Sequence, residues 1–167
     1  MKDNLNLNRS FLFVPGDRPE RFEKACSSGS DVVIIDLEDA VSQSKKEFAR
    51  EEVINFFSNK KNNEFRCFVR VNSIKTYYGL KDLTAFIDNN CFPDGFVLPM
   101  VDSAEEVTLF ENIISDYKSD IELFIVIETP KGLSNVDIIL NSSNKIKMVG
   151  FGSADFTSQT GSSLSWD

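Results

Sequence analysis

The chain has 167 residues, of which 41% are apolar and 26% are charged, a composition typical of a globular protein with one hydrophobic core. Its net charge of −8 argues against a partner held through a phosphate backbone, so we predict no nucleic-acid partner. The sequence contains no histidine. This excludes Ser/His and Cys/His triads and His-ligated zinc, and leaves carboxylates, Arg and Lys to carry any chemistry.

The amino terminus and the cysteines bear on the compartment. The first residues lack the apolar core of a signal peptide, and no apolar run approaches the length of a membrane span. The three cysteines, Cys26, Cys67 and Cys91, are an odd set with wide spacing, which favours reduced core thiols over a disulfide framework or a zinc site. We therefore predict a cytoplasmic protein with no membrane partner.

Strand-like and helix-like segments alternate along the whole chain. Apolar, β-branched runs begin near Phe11, Val32, Phe68, Phe96, Phe124 and Met148. The alternation predicts right-handed crossovers and a parallel sheet covered by helices, which is the α/β class. The turn after the first run lacks the glycine-rich phosphate loop that an open doubly wound sheet would want, so a (β/α)8 TIM barrel fits better.

The length of the chain is short for that barrel. A (β/α)8 barrel takes eight strands and typically about 250 residues, whereas six strands can be counted here. We therefore predict a TIM barrel truncated after about six β/α units, with residues 1–167 forming a single domain that lacks the two C-terminal units. The first and last strands would then each expose an edge, which folded proteins normally cover or pair.

Three of the segments between strands predict amphipathic helices. The first has one apolar face, formed by Phe48, Ala49, Val53, Phe56 and Phe57. The second begins with a capping box of Ser103 and Glu106. The third can begin after Pro130.

The turn after the first strand reads Pro-Gly-Asp-Arg-Pro. Asp17 is suited to cap the following helix and Pro19 to its first turn, which explains the motif structurally. The alternative is that Arg18 or Arg21, near the carboxyl end of the strand, binds an anionic group. Surface arginines usually face solvent, which favours the structural interpretation.

Two carboxylates follow the second strand. Alternation along a strand points Asp36 and Glu38 to the same side, the interior of a barrel. They repel each other unless a metal ion, a cation such as Lys46 or a proton lies between them. The alternatives are a role in the site, or a helix cap at Asp39 with an ion pair to Lys46.

Arg70 lies between two valines near the end of the third strand. A guanidinium in that setting needs a partner because it cannot lose its charge. The partner is either a buried carboxylate or a ligand, and the planar fork of Arg70 matches the carboxylate of a substrate. The two interpretations are compatible, and we favour ligand contact.

Glu128 and Asp155 end the fifth and sixth strands, which are neighbours in a barrel. Their oxygens can converge on one hard cation, and two carboxylates with waters and substrate oxygens suit octahedral Mg²⁺. The alternative is that each carboxylate caps a local turn or helix. Gly150 and Gly152 favour the cation site, because they allow backbone or ligand to approach closely.

Several segments together resemble the HpcH/HpaI aldolase/citrate lyase family, in their order and spacing and over nearly the whole chain. They are residues 11–41 (LFVPGDRPERF and DLEDAV), 70–72, 98–100, 128–130 and 152–156. The long first segment is most similar to citrate lyase β-subunit-like members, including those that act on malyl-CoA or citramalyl-CoA.

The resemblance implies a TIM-barrel lyase that binds Mg²⁺ and forms a trimer or hexamer. Such an enzyme cleaves a β-hydroxy acyl thioester of CoA or an acyl carrier into an acetyl thioester and a small keto acid: oxaloacetate, pyruvate or glyoxylate. It implies that Glu128 and Asp155 bind the metal, that Glu128 and Arg70 bind the substrate, and that Arg70 acts in catalysis with Asp36 and Glu38 shaping the site. The corresponding base or lid in the family comes from the C-terminal region.

Two alternatives remain open at this point. The chain is a binding module that holds Mg²⁺ and a small keto acid without turnover, or it is a thioesterase that hydrolyses malyl-CoA. A binding module would bind the ligand without converting a substrate, so a turnover assay distinguishes it from the lyase. A thioesterase would release malate rather than glyoxylate, so analysis of the products distinguishes it from the lyase.

Overall fold

A computed structural model describes residues 8–59 and 65–163 of the chain. Its six strands form one parallel sheet, in which each strand lies beside the next one along the chain. The strands are β1 Phe11–Pro15, β2 Val32–Asp36, β3 Arg66–Arg70, β4 Gly95–Leu98, β5 Glu122–Ile127 and β6 Ile146–Phe151. The helices are α1 Phe22–Cys26, α2 Lys46–Asn59, α3 Tyr77–Asp88, α4 Ala104–Ser115, α5 Pro130–Ser134, α6 Val136–Leu140 and α7 Ser153–Thr160.

The predicted α/β fold is confirmed. Each of the six predicted runs is a strand, and its observed start lies within two residues of the predicted one. All residues of β2 and β4 are buried, as expected for central parallel strands with both faces covered. The sequential strand order is that of a (β/α)8 barrel and differs from the orders of doubly wound sheets, in which the direction of winding reverses.

The outer face of the sheet carries the main core. Its side chains pack against the helices through edge-to-face aromatic contacts, among them Phe86 with Phe96 and Phe96 with Phe110. In α2, Ala49, Val53 and Phe57 are buried as an i, i+4 stripe. The predicted burial of Phe48 is wrong, because this side chain lies beside the stripe and is 47% exposed.

The inner face is smaller and shows that the sheet curves. Its buried core is Val32, Ile34, Phe68 and Val97, with Phe124, Val126 and Met148 packed against it. The rings of Phe11 in β1 and Phe124 in β5 lie 5.4 Å apart. Strands four places apart in a flat sheet are separated by roughly 19 Å, so the sheet curls toward a barrel.

The edges of the sheet lie where the incomplete barrel predicts them. Within the described residues, β1 and β6 each pair with one neighbouring strand. Val149 and Phe151 of β6 are more than half exposed on the outer side, where the core cluster covers their β5 partners Ile125 and Ile127. At β6 the outer face of the sheet is therefore still apolar, but the described helices no longer cover it.

The helix starts differ in detail from the predicted caps. Ser103 is the N-cap residue of α4, but its side chain makes no capping hydrogen bond, and Glu106 accepts instead from the backbone N–H of Asp102 at 3.3 Å. Asp17 is not the cap of the turn at Pro19–Arg21, because its carboxylate binds Lys45 Nζ at 2.9 Å. Pro19 does occupy the first turn.

Two further predictions concern cysteines and membranes. Cys26, Cys67 and Cys91 form no disulfide with one another, and Cys67 and Cys91 are buried, as predicted for core thiols. Among the helices of the described ranges, none is both long enough and apolar enough to cross a membrane.

Candidate active site

The predicted site residues gather at the carboxyl ends of the strands, on the inner side of the sheet. Asp36 and Arg70 are register partners on the neighbouring strands β2 and β3. Because parallel strands present register partners on the same face, their side chains meet directly. Glu128 follows β5, and Asp155 is the third residue of α7, which follows β6.

Arg70 and Asp36 form a bidentate ion pair. Arg70 Nε and Nη2 donate to the two oxygens of Asp36 at 2.8 and 2.5 Å. Burial alone would lower the pKa of Arg70, but the hydrogen bonds and charge of Asp36 outweigh it, so the pKa is raised and the guanidinium stays charged. The buried-carboxylate partner predicted for Arg70 is therefore Asp36, and Nη1 remains for other contacts.

The same carboxylate also organises the chain after β2. Asp36 Oδ1 accepts the N–H of Glu38 at 2.8 Å, and Oδ2 accepts the N–H of Ala40 at 3.1 Å. With only 1% of its surface exposed, Asp36 has its bonds directed into the protein. Its geometry is that of a positioning residue for Arg70 and for the turn that carries Glu38.

Glu38 lies beside the guanidinium without a regular hydrogen bond to it. Its Oε2 is 3.0 Å from Arg70 Nη1, yet this buried oxygen has no partner of hydrogen-bond geometry. Burial raises the pKa of Glu38 to about 7; Arg70 opposes the rise, and the charges of Asp39, Glu128 and Asp36 add to it. At neutral pH this carboxyl group therefore exchanges a proton easily.

The alternative pairing predicted for Lys46 is wrong. Lys46 Nζ donates to the backbone carbonyls of Leu37 and Glu38, at 2.8 and 2.7 Å, rather than to a carboxylate. Burial lowers the pKa of this lysine. Lys46 thus fixes the turn after β2, while Arg70 carries the ion pairs, including one of 3.6 Å to Asp39.

Glu128 is 3% exposed and is held from two sides. Its Oε1 accepts the N–H of Met100 at 2.7 Å. A Cβ on Gly152 would lie 2.3 Å from its Oε2, so the absence of a side chain at Gly152 makes room for the carboxylate. The approach predicted at Gly152 was that of backbone or ligand, whereas the group that lies there is the Glu128 side chain.

The pKa of Glu128 is raised to about 7. Burial is the largest cause; the Met100 N–H opposes it, the Asp155 charge adds to it, and Arg70 opposes it. The charge of Asp155 therefore acts on Glu128, although the Glu128 carboxylate is buried and Asp155 is half-buried. A cation between them would relieve the repulsion.

The donor set fits a magnesium ion that keeps several non-protein ligands. Within residues 8–59 and 65–163, no group of three or more His, Cys, Asp or Glu side chains is arranged to hold a metal ion. Mg²⁺ differs from zinc in commonly using only one or two carboxylates with waters and substrate oxygens. Glu128 and Asp155 could supply two such carboxylates, and that of Glu128 is buried.

Two other predicted candidates lie outside this arrangement. Arg18 and Arg21 have side chains that are 49% and 60% exposed, and they lie near Asp17 and Glu20 at 3.9 and 3.8 Å. Their surroundings agree with the structural interpretation of the first turn.

A buried polar network behind the site was not predicted from the sequence. Asp82 of α3 accepts the N–H and the side-chain amide of Asn72, at 2.9 and 2.7 Å, and also accepts from Arg50 Nε at 2.9 Å. The Asn72 amide donates in addition to the carbonyl of Leu37 at 3.0 Å. These bonds tie the chain after β2 to the chain after β3. The available signal was an aspartate on the buried face of a helix.

A second network joins the chain segments after β3, β4 and β5. Lys75 Nζ donates to Met100 O and Asp102 Oδ2, both at 2.7 Å, and Thr129 Oγ1 donates to Asp102 Oδ1 at 2.5 Å. Residues 98–100 and 128–130 belong to the segments that resemble the family, but no contact between them is evident from the sequence. Their contacts depend on neighbouring strands bringing the segments together.

The chain is similar in sequence to several curated proteins. The chain is 30% identical over 162 residues to the L-malyl-CoA/β-methylmalyl-CoA lyase of Rhodobacter capsulatus, covering 93% of the chain and 51% of that protein. It is 28% identical to the citrate lyase β subunit of Leuconostoc mesenteroides and 27% identical to the mitochondrial citramalyl-CoA lyase of Homo sapiens, covering 53% and 50% of those proteins. The chain thus spans about half the length of the curated relatives it matches.

Solved structures give the same result for the fold, and a family model covers the same span. RipC from Yersinia pestis superposes with a TM-score of 0.80 at 31% identity, over 97% of this chain and 66% of that one. A citrate lyase β subunit from Mycobacterium tuberculosis, complexed with oxaloacetate and magnesium, superposes with a TM-score of 0.76 at 29% identity, over 96% and 66%. The model of the HpcH/HpaI aldolase/citrate lyase family matches residues 9–166, and the chain belongs to that family.

Proposed function

We propose that this chain carries the Mg²⁺- and keto-acid-binding site of a carbon–carbon lyase that acts on a β-hydroxy acyl thioester. The observation that carries the proposal is the buried Glu128 carboxylate, which is held by the Met100 N–H at the carboxyl end of the sheet. Its pKa is raised by burial and by the charge of Asp155, and it also feels the permanent charge of Arg70. Relatives named as malyl-CoA lyase, citramalyl-CoA lyase and citrate lyase β subunit support the reaction class.

The ligands of related structures support the choice of cofactor and partners. Those structures contain magnesium with oxaloacetate, with pyruvate, or with acetoacetate and coenzyme A. In this chain Glu128 and Asp155 would hold Mg²⁺. When bound, the ion would supply positive charge to the oxygens of a keto acid.

The reaction places clear demands on the protein. The substrate hydroxyl loses its proton, the C–C bond breaks, and its electrons pass to the thioester as an enolate, which then takes up a proton. Arg70 Nη1 is suited to bind a substrate carboxylate or the enolate oxygen, because Asp36 already occupies Nε and Nη2. Glu38 competes for Nη1 when ionised, and with a pKa of about 7 it can take a proton and release that N–H group.

We include in the proposal a single domain over residues 1–167, a cytoplasmic location and assembly into a homo-oligomer. The match to the family model over residues 9–166 supports one domain. Light scattering of the purified chain would test the oligomer, with a trimer or hexamer expected.

Calorimetric titration of the full chain with oxaloacetate, with and without Mg²⁺, tests the site. We expect binding only with Mg²⁺, loss of that binding in Asp155→Asn, and normal binding in Asp137→Asn. Asp137 is a matched control because it also lies in the first turn of a short helix and is exposed. Equal binding by both variants, or no binding by the folded wild-type chain, would refute the proposal.

Turnover assays distinguish catalysis from binding alone. The chain is incubated with malyl-, citramalyl- and citryl-CoA, and the products are separated. An acetyl thioester with a keto acid indicates the lyase, and free CoA with an intact hydroxy acid indicates a thioesterase. Mg²⁺-dependent binding without product indicates a binding module.

A further inference from the structure

Met100 has a backbone conformation that a long side chain seldom adopts. Its φ is 54°, in the left-handed region, two residues after the end of β4. Such a conformation is unfavourable for a residue with a Cβ and persists only where surrounding contacts hold it. Strained positions of this kind cluster at functional sites.

Both peptide groups of Met100 are engaged. Its N–H donates to Glu128 Oε1 at 2.7 Å, and its carbonyl accepts from Lys75 Nζ at 2.7 Å. The first bond reaches a proposed metal ligand, and the second leads away from the site to the chain after β3. A change at Lys75 can therefore reach Glu128 through one residue.

Lys75 Nζ donates two hydrogen bonds, to Met100 O and to Asp102 Oδ2, both at 2.7 Å. Glu106 Oε1 lies 3.5 Å from the same ammonium as a weaker ion-pair contact. The Lys75 side chain is 39% exposed, and an ion pair at that exposure contributes little to stability. The contact of Lys75 that bears on the site is therefore its hydrogen bond to the carbonyl of Met100, the residue with the left-handed backbone.

Asp102 fixes the position of Lys75 and joins it to the segment that carries Glu128. It accepts from Thr129 Oγ1, and Thr129 directly follows Glu128 and caps α5 by accepting the N–H of Gly132 at 2.8 Å. Burial would raise the pKa of Asp102, but the hydrogen bonds from Lys75 and Thr129 outweigh it and lower the pKa. Asp102 thus stays charged and holds both partners.

We propose that Lys75 is a positioning residue for Glu128: by binding the carbonyl of Met100 and the carboxylate of Asp102, it holds Met100 in the left-handed conformation that directs the Met100 N–H at Glu128. That this orientation serves cation binding rests on the function proposed above. The contact itself does not depend on that function.

The test compares Lys75→Met with a matched control, Lys118→Met. Lys118 pairs with Asp120 at 2.8 Å and has a side chain that is 37% exposed, close to the 39% of Lys75. A third variant combines Lys75→Met with Met100→Gly, because glycine adopts a left-handed φ without steric cost. Two measurements are made on each full-length protein: calorimetric titration with oxaloacetate in Mg²⁺, and the amide resonance of residue 100 by NMR.

In calorimetry, we expect Lys75→Met to weaken Mg²⁺-dependent binding by about 10- to 100-fold, the range found when a group that orients a metal ligand is lost. Lys118→Met should stay within about twofold, as for an exposed ion pair. The Lys75→Met/Met100→Gly double variant should recover most of the loss. Unchanged affinity in Lys75→Met, or a loss that the double variant does not recover, would overturn the inference.

NMR separates failure of this inference from failure of the proposed function. If the wild-type chain does not bind oxaloacetate, the function fails and the resonance decides the inference alone. We expect the Met100 amide proton to shift upfield in Lys75→Met, as its bond to a carboxylate is lost, and to stay in place in Lys118→Met. The same resonance in both variants would show that Lys75 does not position Met100.

Discussion

The two halves of the candidate site differ in whether their buried charges are neutralised by other side chains. In the arginine cluster, formed by Arg70, Asp36 and Glu38 after β2 and β3, the guanidinium neutralises a buried carboxylate through two hydrogen bonds. In the acidic pair, formed by Glu128 and Asp155 after β5 and β6, two carboxylates repel each other. The arginine cluster is thus neutralised within the fold, whereas the acidic pair is the part of the site for which we propose a bound cation.

Breaking the arginine cluster should have the largest effect. Arg70→Met removes the guanidinium that pairs with Asp36. The Asp36 side chain is only 2% exposed, so the variant leaves a buried carboxylate without its cation. We expect a loss of about 3–5 kcal/mol in the free energy of unfolding, measured by urea denaturation.

Two comparisons control that experiment. Arg66→Met removes an ion pair at the other end of the same strand, where Arg66 and Glu122 have side chains 29% and 32% exposed, and should cost about 1 kcal/mol or less. Arg70→Met/Asp36→Asn should recover part of the loss, because the remaining group is neutral. Equal losses for both arginine variants would mean that Arg70 is not held as a buried pair.

The second prediction concerns the part of the arginine cluster that remains unsatisfied. The pKa of Glu38 is raised from 4.5 to about 7 in the folded protein, chiefly by burial. Between those values the folded state keeps a proton that the unfolded state loses, so stability falls as pH rises and the cost is complete above pH 7. Glu38→Gln should therefore stabilise the protein at pH 8, by about 3 kcal/mol at most because solvent screens part of the effect, and should hardly change it at pH 4.

Urea denaturation of Glu38→Gln at both pH values gives the measurement. Glu20→Gln is the control, since the Glu20 side chain is 62% exposed, and its stability should equal that of the wild type at both values. A stabilisation that is the same at pH 4 and pH 8 would mean that the charge of Glu38 is not its cause.

A third prediction tests how closely the acidic pair is packed. In Gly152→Ala the new Cβ would lie 2.3 Å from Glu128 Oε2, so the carboxylate must move. We expect a loss of about 1–3 kcal/mol in stability, as for an added methyl group in a packed site, and loss of Mg²⁺-dependent oxaloacetate binding.

Gly161→Ala is the matched glycine at the other end of α7. Gly161 has a φ of 67°, and an added Cβ would meet nothing within 4 Å, so backbone strain costs about 1 kcal/mol there. Its ligand binding should stay normal. If Gly152→Ala binds as well as Gly161→Ala, then the position of Glu128 is not set by Gly152.

The smallest expected effect is the loss of a cation–π contact between Arg70 and Phe13. The guanidinium carbon of Arg70 lies 5.3 Å from the centre of the Phe13 ring. Phe13→Leu should cost about 0.5–1 kcal/mol in stability, the value of a partly exposed cation–π contact. Phe151→Leu, an exposed ring on the outer face of β6, should change stability less; a larger loss there would make the Phe13 effect one of apolar burial alone.

The strands and helices were predictable because they are marked by apolar periodicity in the sequence, whereas details at the edges and ends of helices were not. Strand β2, with five buried apolar or acidic residues in a row, and the alternating apolar segments between strands identified six β/α units. The burial of Phe48 was predicted wrongly because residues at the edge of an apolar helical stripe can be either buried or exposed. Which of them is buried depends on how α2 packs against the rest of the protein. The error at Ser103 has a similar cause, since the rotamer of a capping side chain depends on competing local partners.

The sequence predicted the charged residues of the candidate site and a carboxylate partner for Arg70, but not most of the contacts around them. Arg70, Glu128 and Asp155 were found because charges at the ends of apolar strands are conspicuous. The pairing of Lys46 was wrong because the two carbonyls that it binds become available only in the folded turn after β2. Lys75 carried no comparable local signal, and the signal at Asp82, an aspartate on the buried face of a helix, does not name its partners on other elements.

The sequence by itself determined the order of the strands and which charged residues stand at their ends, because hydrophobic periodicity and strand alternation are local properties. The tertiary structure decided which charges meet: the parallel register places Asp36 opposite Arg70, while Glu128 lies against Met100 and Gly152. It also raised the pKa of Glu38 and of Glu128, since burial and neighbouring charges exist only in the folded chain. Thus local pattern selects the groups of the site, and packing sets their chemistry.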